Sequence, residues 1–352
     1  MKVEKKIIDH IEKCYAVAGF EYDNQEHLLC SAEGNGPCHA YDLQGNLAET
    51  IFDGPGGVMT LLQVPDISES VLLATQGFYS PDNASEGKIV YYYRRENQWL
   101  CNVLCDLPFV HRFGIVRYKE KKYLIAATLK SACAFEGDWT CPGRIWAAEF
   151  PEDIFLYNQE HPLKPEPLFS GLYKNHGFCI NEENDYSYGI IGTEQGVYTV
   201  YPPGVFGDEW KWECILEEPV SDMLYRDFDG DGEKELLVLS PFHGDSVKIY
   251  KKDDNGRMVK VYEREKKLSF AHAIWGGRVW GCEYAFLGGR GGDRELIALY
   301  YDSDTGEYKD NLLDTGAGAA NCMVFGTEDG YGLLAANRET DEVAVYKIKN
   351  DK

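Results

Sequence analysis

No stretch of this sequence approaches the ~18 consecutive apolar residues that a membrane-spanning helix needs. The first 20 residues, MKVEKKIIDHIEKCYAVAGF, carry acidic side chains throughout and lack the continuous apolar segment of a secretory leader. Basic charge is scarce. Lys and Arg number 35 against 58 Asp and Glu, a formal net charge of −23. A field of that sign repels polyphosphate and anionic lipid, so neither nucleic acid nor a membrane is an expected partner. Paired CxxC spacing is missing too. The 11 cysteines are odd in number, and Cys101 with Cys105, or Cys133 with Cys141, do not make zinc-ribbon pairs. Cys179, Cys282 and Cys322 sit inside apolar runs and read as small hydrophobes. These absences predict a soluble, reduced, cytoplasmic protein.

Common enzyme motifs are lacking as well. There is no serine nucleophile elbow, phosphate loop or dinucleotide fingerprint. Gly288-Gly-Arg-Gly-Gly292 is glycine-rich, but no helix pattern follows it to cradle a phosphate. Long helical periodicity is absent, and so is any low-complexity tract or linker.

What is present suits many short strands. Apolar residues make up 44% of the chain and aromatics 13%, with 36 glycines and 24 tyrosines. A very apolar strand-like run recurs roughly every 45 to 65 residues. The runs are His27-Leu-Leu-Cys-Ser-Ala, Val71-Leu-Leu-Ala-Thr, Tyr123-Leu-Ile-Ala-Ala-Thr, Tyr188-Gly-Ile-Ile-Gly-Thr, Glu235-Leu-Leu-Val-Leu-Ser, Glu283-Tyr-Ala-Phe-Leu-Gly and Gly332-Leu-Leu-Ala-Ala-Asn. Seven repeats of four strands each predict an all-β, seven-bladed β-propeller formed as one domain over residues 1–352. The last repeat ends one strand short after Val343-Ala-Val-Tyr-Lys-Ile. Val3-Glu-Lys-Lys-Ile-Ile-Asp-His either supplies that strand and closes the ring or forms a short helix.

One stretch has the spacing of a cation loop. Asp227, Asp229 and Asp231 alternate, Gly230 and Gly232 allow a tight turn, and Glu233 and Glu235 follow. Alternating carboxylates around a turn make an oxygen cage for a hard cation such as Ca²⁺. The flanking runs are strands, unlike those of an EF-hand. The segment resembles the FG-GAP or VCBS type of propeller repeat, in which a calcium loop joins two strands of one blade. That resemblance implies a structural calcium.

Aligning the repeats on their apolar runs brings polar residues into register at the start of each innermost strand. His111, His176, Asp222, His272 and Asn321 follow one another at separations of 65, 46, 50 and 49 residues. Innermost strands line a propeller's channel. Three histidines and a carboxylate at one height are therefore a candidate site for a transition metal such as Zn²⁺ or Mn²⁺. Structural hydrogen bonding is the alternative role for each histidine.

A second ring follows the apolar runs: Glu33, Gln76, Lys130, Glu194, His243, Arg290 and Arg338. It is expected to surround the funnel mouth, with Lys130, Arg290 and Arg338 favouring an anionic or carbonyl-bearing ligand. Long loops at 76–88 and 130–144 add Tyr79, Asp138, Trp139 and Arg144 as candidate lid or sugar-stacking residues. The chemistry that fits is metal-assisted β-elimination. A divalent metal polarises a carbonyl or carboxylate, His243 removes the adjacent proton, and Lys130 or Arg290 stabilises the enolate-like charge.

The in-register His111, His176 and His272 resemble the metal sites of two propeller enzyme families: the aldos-2-ulose and anhydrofructose dehydratases, and the metal-dependent oligouronate lyases. The resemblance implies a carbohydrate or sugar acid as substrate. Two other readings stand beside it. One is a non-catalytic ligand- or protein-binding propeller. The other is a glycoside hydrolase that pairs Glu33 with Glu194 or Asp222 across the funnel.

Overall fold

Each of the seven apolar runs forms the second strand of a four-stranded antiparallel sheet. The computed structural model describes residues 1–349. Among them the regular structure is strand except for two single 3₁₀ turns, Ile154–Leu156 and Arg338–Thr340. Consecutive sheets are blades 1 to 6, over residues 14–52, 61–106, 110–172, 177–216, 222–263 and 271–314. Blade 7 combines Asn321–Thr327, Gly330–Asn337 and Glu342–Lys349 with the N-terminal strand Lys2–His10. That strand lies antiparallel to Glu342–Lys349, with Lys5 opposite Tyr346. The innermost strand of blade 1, Cys14–Tyr22, touches those of both blade 2 and blade 7, so the blades form a closed ring.

The second strands carry the core because both of their faces are covered. Ser187–Gly192 and Glu235–Ser240 are buried at every position. Their side chains fill the wedges between adjacent blades. Leu28, Cys30 and Tyr41 of blade 1, for example, pack against Leu334 and Val343 of blade 7. Fully burying such a side chain is worth about 1.5–3 kcal/mol, so truncating one costs about 2–5 kcal/mol. Outer strands are instead more open to solvent. Leu47, Trp212, Val259 and Leu312 remain exposed on them.

All 11 cysteines are free thiols. Cys322 is buried, as expected of a small hydrophobe, whereas Cys179 is half-buried and Cys282 is exposed at a strand start. No helix among the described residues is long and apolar enough to cross a membrane.

Candidate functional site: an axial histidine cluster

The axial residues arrive through a repeated backbone device. Lys13, Phe109, Lys174 and Phe270 all adopt left-handed φ of 48° to 62°. Each stands two residues before a ring-forming side chain: Tyr15, His111, His176 and His272. A bulky non-glycine residue in that conformation costs on the order of 1–2 kcal/mol, so four in register mark a constrained site. In blades 1, 3 and 6 the ladder also slips by one residue at Tyr15, His111 and His272. Such a bulge leaves one residue unpaired and re-aims its side chain.

His111, His176 and His272 are each no more than 3% exposed. His176 Nδ1 donates to the Ser221 carbonyl at 2.9 Å, and His272 Nδ1 donates to the Ala320 carbonyl at 2.8 Å. Those bonds set the tautomer and leave each Nε2 as a bare acceptor. The Tyr15 hydroxyl lies 3.2 Å from His272 Nε2 and 3.5 Å from His111 Nε2. His111 Nδ1 is buried without a hydrogen-bond partner. His243 enters from the loop after the second strand of blade 5, itself left-handed at φ 51°, with its ring stacked on Phe242 at 3.8 Å. All four imidazoles are neutral. Burial is the main cause, with neighbouring histidines and Arg112 or Arg290 adding to it, and His243 is brought down to about 3.

The ring is not the one expected from the alignment. Backbone N–H groups of His176, Ser221 and Ala320 make equivalent bonds to their neighbouring strands. Ser221 and Ala320 therefore stand level with the histidines and present carbonyls. Asp222 and Asn321 fall one residue further along, level with Gly177, and form a second layer with Arg112. Arg112 donates to the Met59 carbonyl at 2.7 Å and to Asn321 Oδ1 at 3.4 Å. Asn321 in turn holds the Tyr15 carbonyl at 2.9 Å. Burial pushes the Asp222 carboxyl up to about 6, against the opposing pull of Arg112.

His243 also differs from its expected role apart from the metal ring. One ligand atom from each of His176, His243 and His272 lies within 4.8 Å of the others, and His111 stands outside that group. Tyr15 and Arg112 were missed by the alignment. The triplet Cys14-Tyr15-Ala16 shares its small–ring–small pattern with Ala271-His272-Ala273, and that likeness was the available signal.

The second ring is largely paired within itself. Arg338 binds Glu33 closely and meets Glu339 at 3.0 Å, while Arg290 meets Glu339 at 2.7 Å. Glu194 meets Lys174 at 2.9 Å. Gln76 donates to the Tyr92 hydroxyl at 3.1 Å and to the Pro55 carbonyl at 3.3 Å. The expected positive mouth is thus neutralised. Lys130 is fully buried, binds Asp82 closely, and lies 4.2 Å from the centre of the Trp139 ring. The two long loops are consequently tied together, since Gly137 N also donates to Asp82 Oδ2 at 2.9 Å. Trp139 packs edge-on against Phe242 at 5.5 Å and so covers the neighbour of His243. Asp138 serves its own loop, accepting from Ala134 N at 3.0 Å and from Thr140 N at 2.9 Å. Tyr79 is half-buried, with its backbone N–H bonded to Asn83. Arg144 belongs to a strand rather than a lid and lies over Trp146 at 5.5 Å.

The cavity enclosed by Tyr15, Phe78, Phe242, Arg290 and the four imidazoles measures about 30 Å³. That is room for an ion and a water, not a sugar.

The aspartate loop is a separate centre. Asp227, Asp229, Asp231 and Glu235 each direct an oxygen into one cluster, and Glu233 lies outside it, exposed. The Lys251 ammonium stands among them, 2.6 Å from Asp229, 2.6 Å from Asp231 and 2.9 Å from the fully buried Glu235. Those carboxylates hold Lys251 firmly in its charged form.

No protein-family model matches the chain, and no curated protein matches it. Solved structures do. The β-propeller domain of Myceliophteria thermophila Cps50 (Swd1) is similar over 98% of this chain and 100% of its own, with a TM-score of 0.60 and 12% identity. BBS1N, solved in complex with ARL6DN, is similar over 100% of this chain and 97% of its own, with a TM-score of 0.62 and 12% identity. At that identity the likeness is one of fold. The chain is a seven-bladed β-propeller.

Proposed function

We propose that this protein is a non-catalytic propeller that binds a protein partner. The supporting observation is the filled axis. Small-molecule sites run to roughly 300–1,000 Å³, and the axial cavity measures about 30 Å³ with its surrounding charges already paired. The larger recess, about 590 Å³, lies at the edge between blades 4 and 5, lined by Tyr188, Tyr201 and Tyr225. Phe206, 52% exposed, stands over Tyr201 at this recess. Exposed aromatics beside a recess are the usual anchors of a protein interface. Glu213 and Glu217 line the same recess and meet no ion-pair partner among the described residues; Arg257 is answered by Asp253 at 2.8 Å, and Lys252 also lines the recess, which leaves an excess of one negative charge. The partner segment is therefore basic. A protein partner also accords with BBS1N, a neighbour in fold solved with ARL6DN.

Affinity purification from the source cells tests this reading. A Phe206→Ala/Glu213→Lys variant should lose a co-purifying protein that the wild type and the exposed-site control His161→Gln retain. An identical set of proteins with all three baits would remove the support for this face.

The metal-dependent lyase or dehydratase reading rests on the converging histidines. It requires the joined loops at 77–87 and 131–141 to open for substrate. Metal-dependent turnover of a sugar acid by the purified protein would put it first. The hydrolase reading needs Glu33 and Glu194 freed from Arg338 and Lys174.

A further inference from the structure

We infer that His176, His243 and His272 form a transition-metal site that staples blades 4, 5 and 6 together at the propeller axis. The three residues come from three consecutive blades and from different positions in them. Two open innermost strands, and the third sits on a loop after a second strand. Their ring centroids are 5.4, 5.1 and 5.4 Å apart, a nearly equilateral triangle. A tetrahedral Zn²⁺ with Zn–N of about 2.0–2.1 Å places its nitrogens ~3.3–3.4 Å apart. Ligand atoms already within 4.8 Å reach that spacing by small ring rotations.

The ligands are themselves held in place. Backbone carbonyls of Ser221 and Ala320 hold the Nδ1–H groups of His176 and His272 and turn Nε2 inward. Both carbonyls belong to the next blade round the ring, so the same bonds tie the ligands to the propeller closure. Tyr15 supplies the exchange partner. Without metal its hydroxyl serves His272 Nε2, and with that atom ligated it turns to His111 Nε2, 3.5 Å away. This accounts for a buried tyrosine shared between two acceptors. The cavity admits the ion with one further ligand, a water or small anion. A donor set of three neutral imidazoles suits zinc, copper, nickel or cobalt and excludes calcium and magnesium, which take oxygen ligands. The site shares no residue with the partner recess between blades 4 and 5, so either proposal can fail alone.

Metal-stripped full-length protein should be titrated with Co²⁺ and Zn²⁺. The expected result is one Co²⁺ per chain with a visible spectrum of low-coordinate nitrogen ligation, displaced by Zn²⁺. Zn²⁺ should raise the melting temperature by several degrees. His176→Ala and His272→Ala should each weaken binding at least tenfold, and the surface control His161→Gln should leave it unchanged. Where an alanine variant does not fold, the wild-type cobalt spectrum decides by itself. Absence of binding, or a sulfur-to-cobalt charge-transfer band marking cysteine ligation instead, would overturn the site. So would binding that survives in the folded histidine variants.

Discussion

Tyr15 and His272, 257 residues apart in the chain, meet on the axis with the hydroxyl 3.2 Å from Nε2. His272 Nδ1 already donates to Ala320, so Tyr15 is the donor. Burial raises its phenol to about 12, which keeps the proton in place through the physiological range. Tyr15→Phe leaves a buried acceptor without its donor and should cost about 1–2 kcal/mol, a few degrees of melting temperature. With Zn²⁺ bound the cost should shrink, because His272 Nε2 no longer needs a donor. Thermal melts of both proteins, with and without Zn²⁺, measure the difference.

Lys251 occupies the position in the aspartate loop that a bound cation would need. Replacing it by methionine leaves Asp229 and the buried Glu235 with no positive neighbour. Lys251→Met should lose about 2–4 kcal/mol in chelator, and millimolar Ca²⁺ should restore most of it. Wild type should respond weakly, since Ca²⁺ must first displace an ammonium. Urea melts in EDTA and in Ca²⁺ check both. Equal stabilisation of the two proteins by Ca²⁺ would show that Lys251 offers no competition.

Asp222 predicts a pH dependence of opposite sign to the usual carboxylate. Its carboxyl titrates at about 6 in the fold against an ordinary 3.8. Between those values the unfolded chain releases its proton first, so stability falls as pH rises. The full penalty, present above pH 6, is at most about 3 kcal/mol. Asp222→Asn should therefore stabilise the protein at pH 8 and make little difference below pH 4. Denaturant midpoints across that range supply the measurement.

Lys130 and Asp82 form an asymmetric pair, with the lysine fully buried and the aspartate side chain 29% exposed. Asp82→Ala strands a buried ammonium and should cost about 3–5 kcal/mol, whereas Lys130→Met frees a carboxylate that can reach water and should cost less. Both changes untie the loops at 77–87 and 131–141. Tryptophan emission from Trp139 should shift to the red in each, and protease should cut first within 131–141.

The propeller was legible in the sequence because a second strand covered on both faces must be apolar along its whole length. Glu235-Leu-Leu-Val-Leu-Ser and its six counterparts show that directly. The histidines were legible by spacing, since each blade is one period. Their height was not. The extra residue at His111 and at His272 is a bulge, and nothing local in Val110-His111-Arg112 distinguishes a bulged residue from a paired one. A one-residue slip was enough to exchange Asp222 and Asn321 for Ser221 and Ala320 at the level of the imidazoles.

The residues themselves thus determined the blade number, the apolar wedges and the inventory of axial side chains, because those depend on composition repeated at a fixed period. Tertiary structure alone decided which charges remain free. Arg338 meets Glu33 across 305 residues and Lys251 reaches the aspartate loop from a neighbouring strand, so the expected positive mouth is neutralised and the cation cage holds an ammonium. Pairing of that kind follows from which side chains a closed ring brings within a few ångströms, and a linear pattern carries no record of that distance.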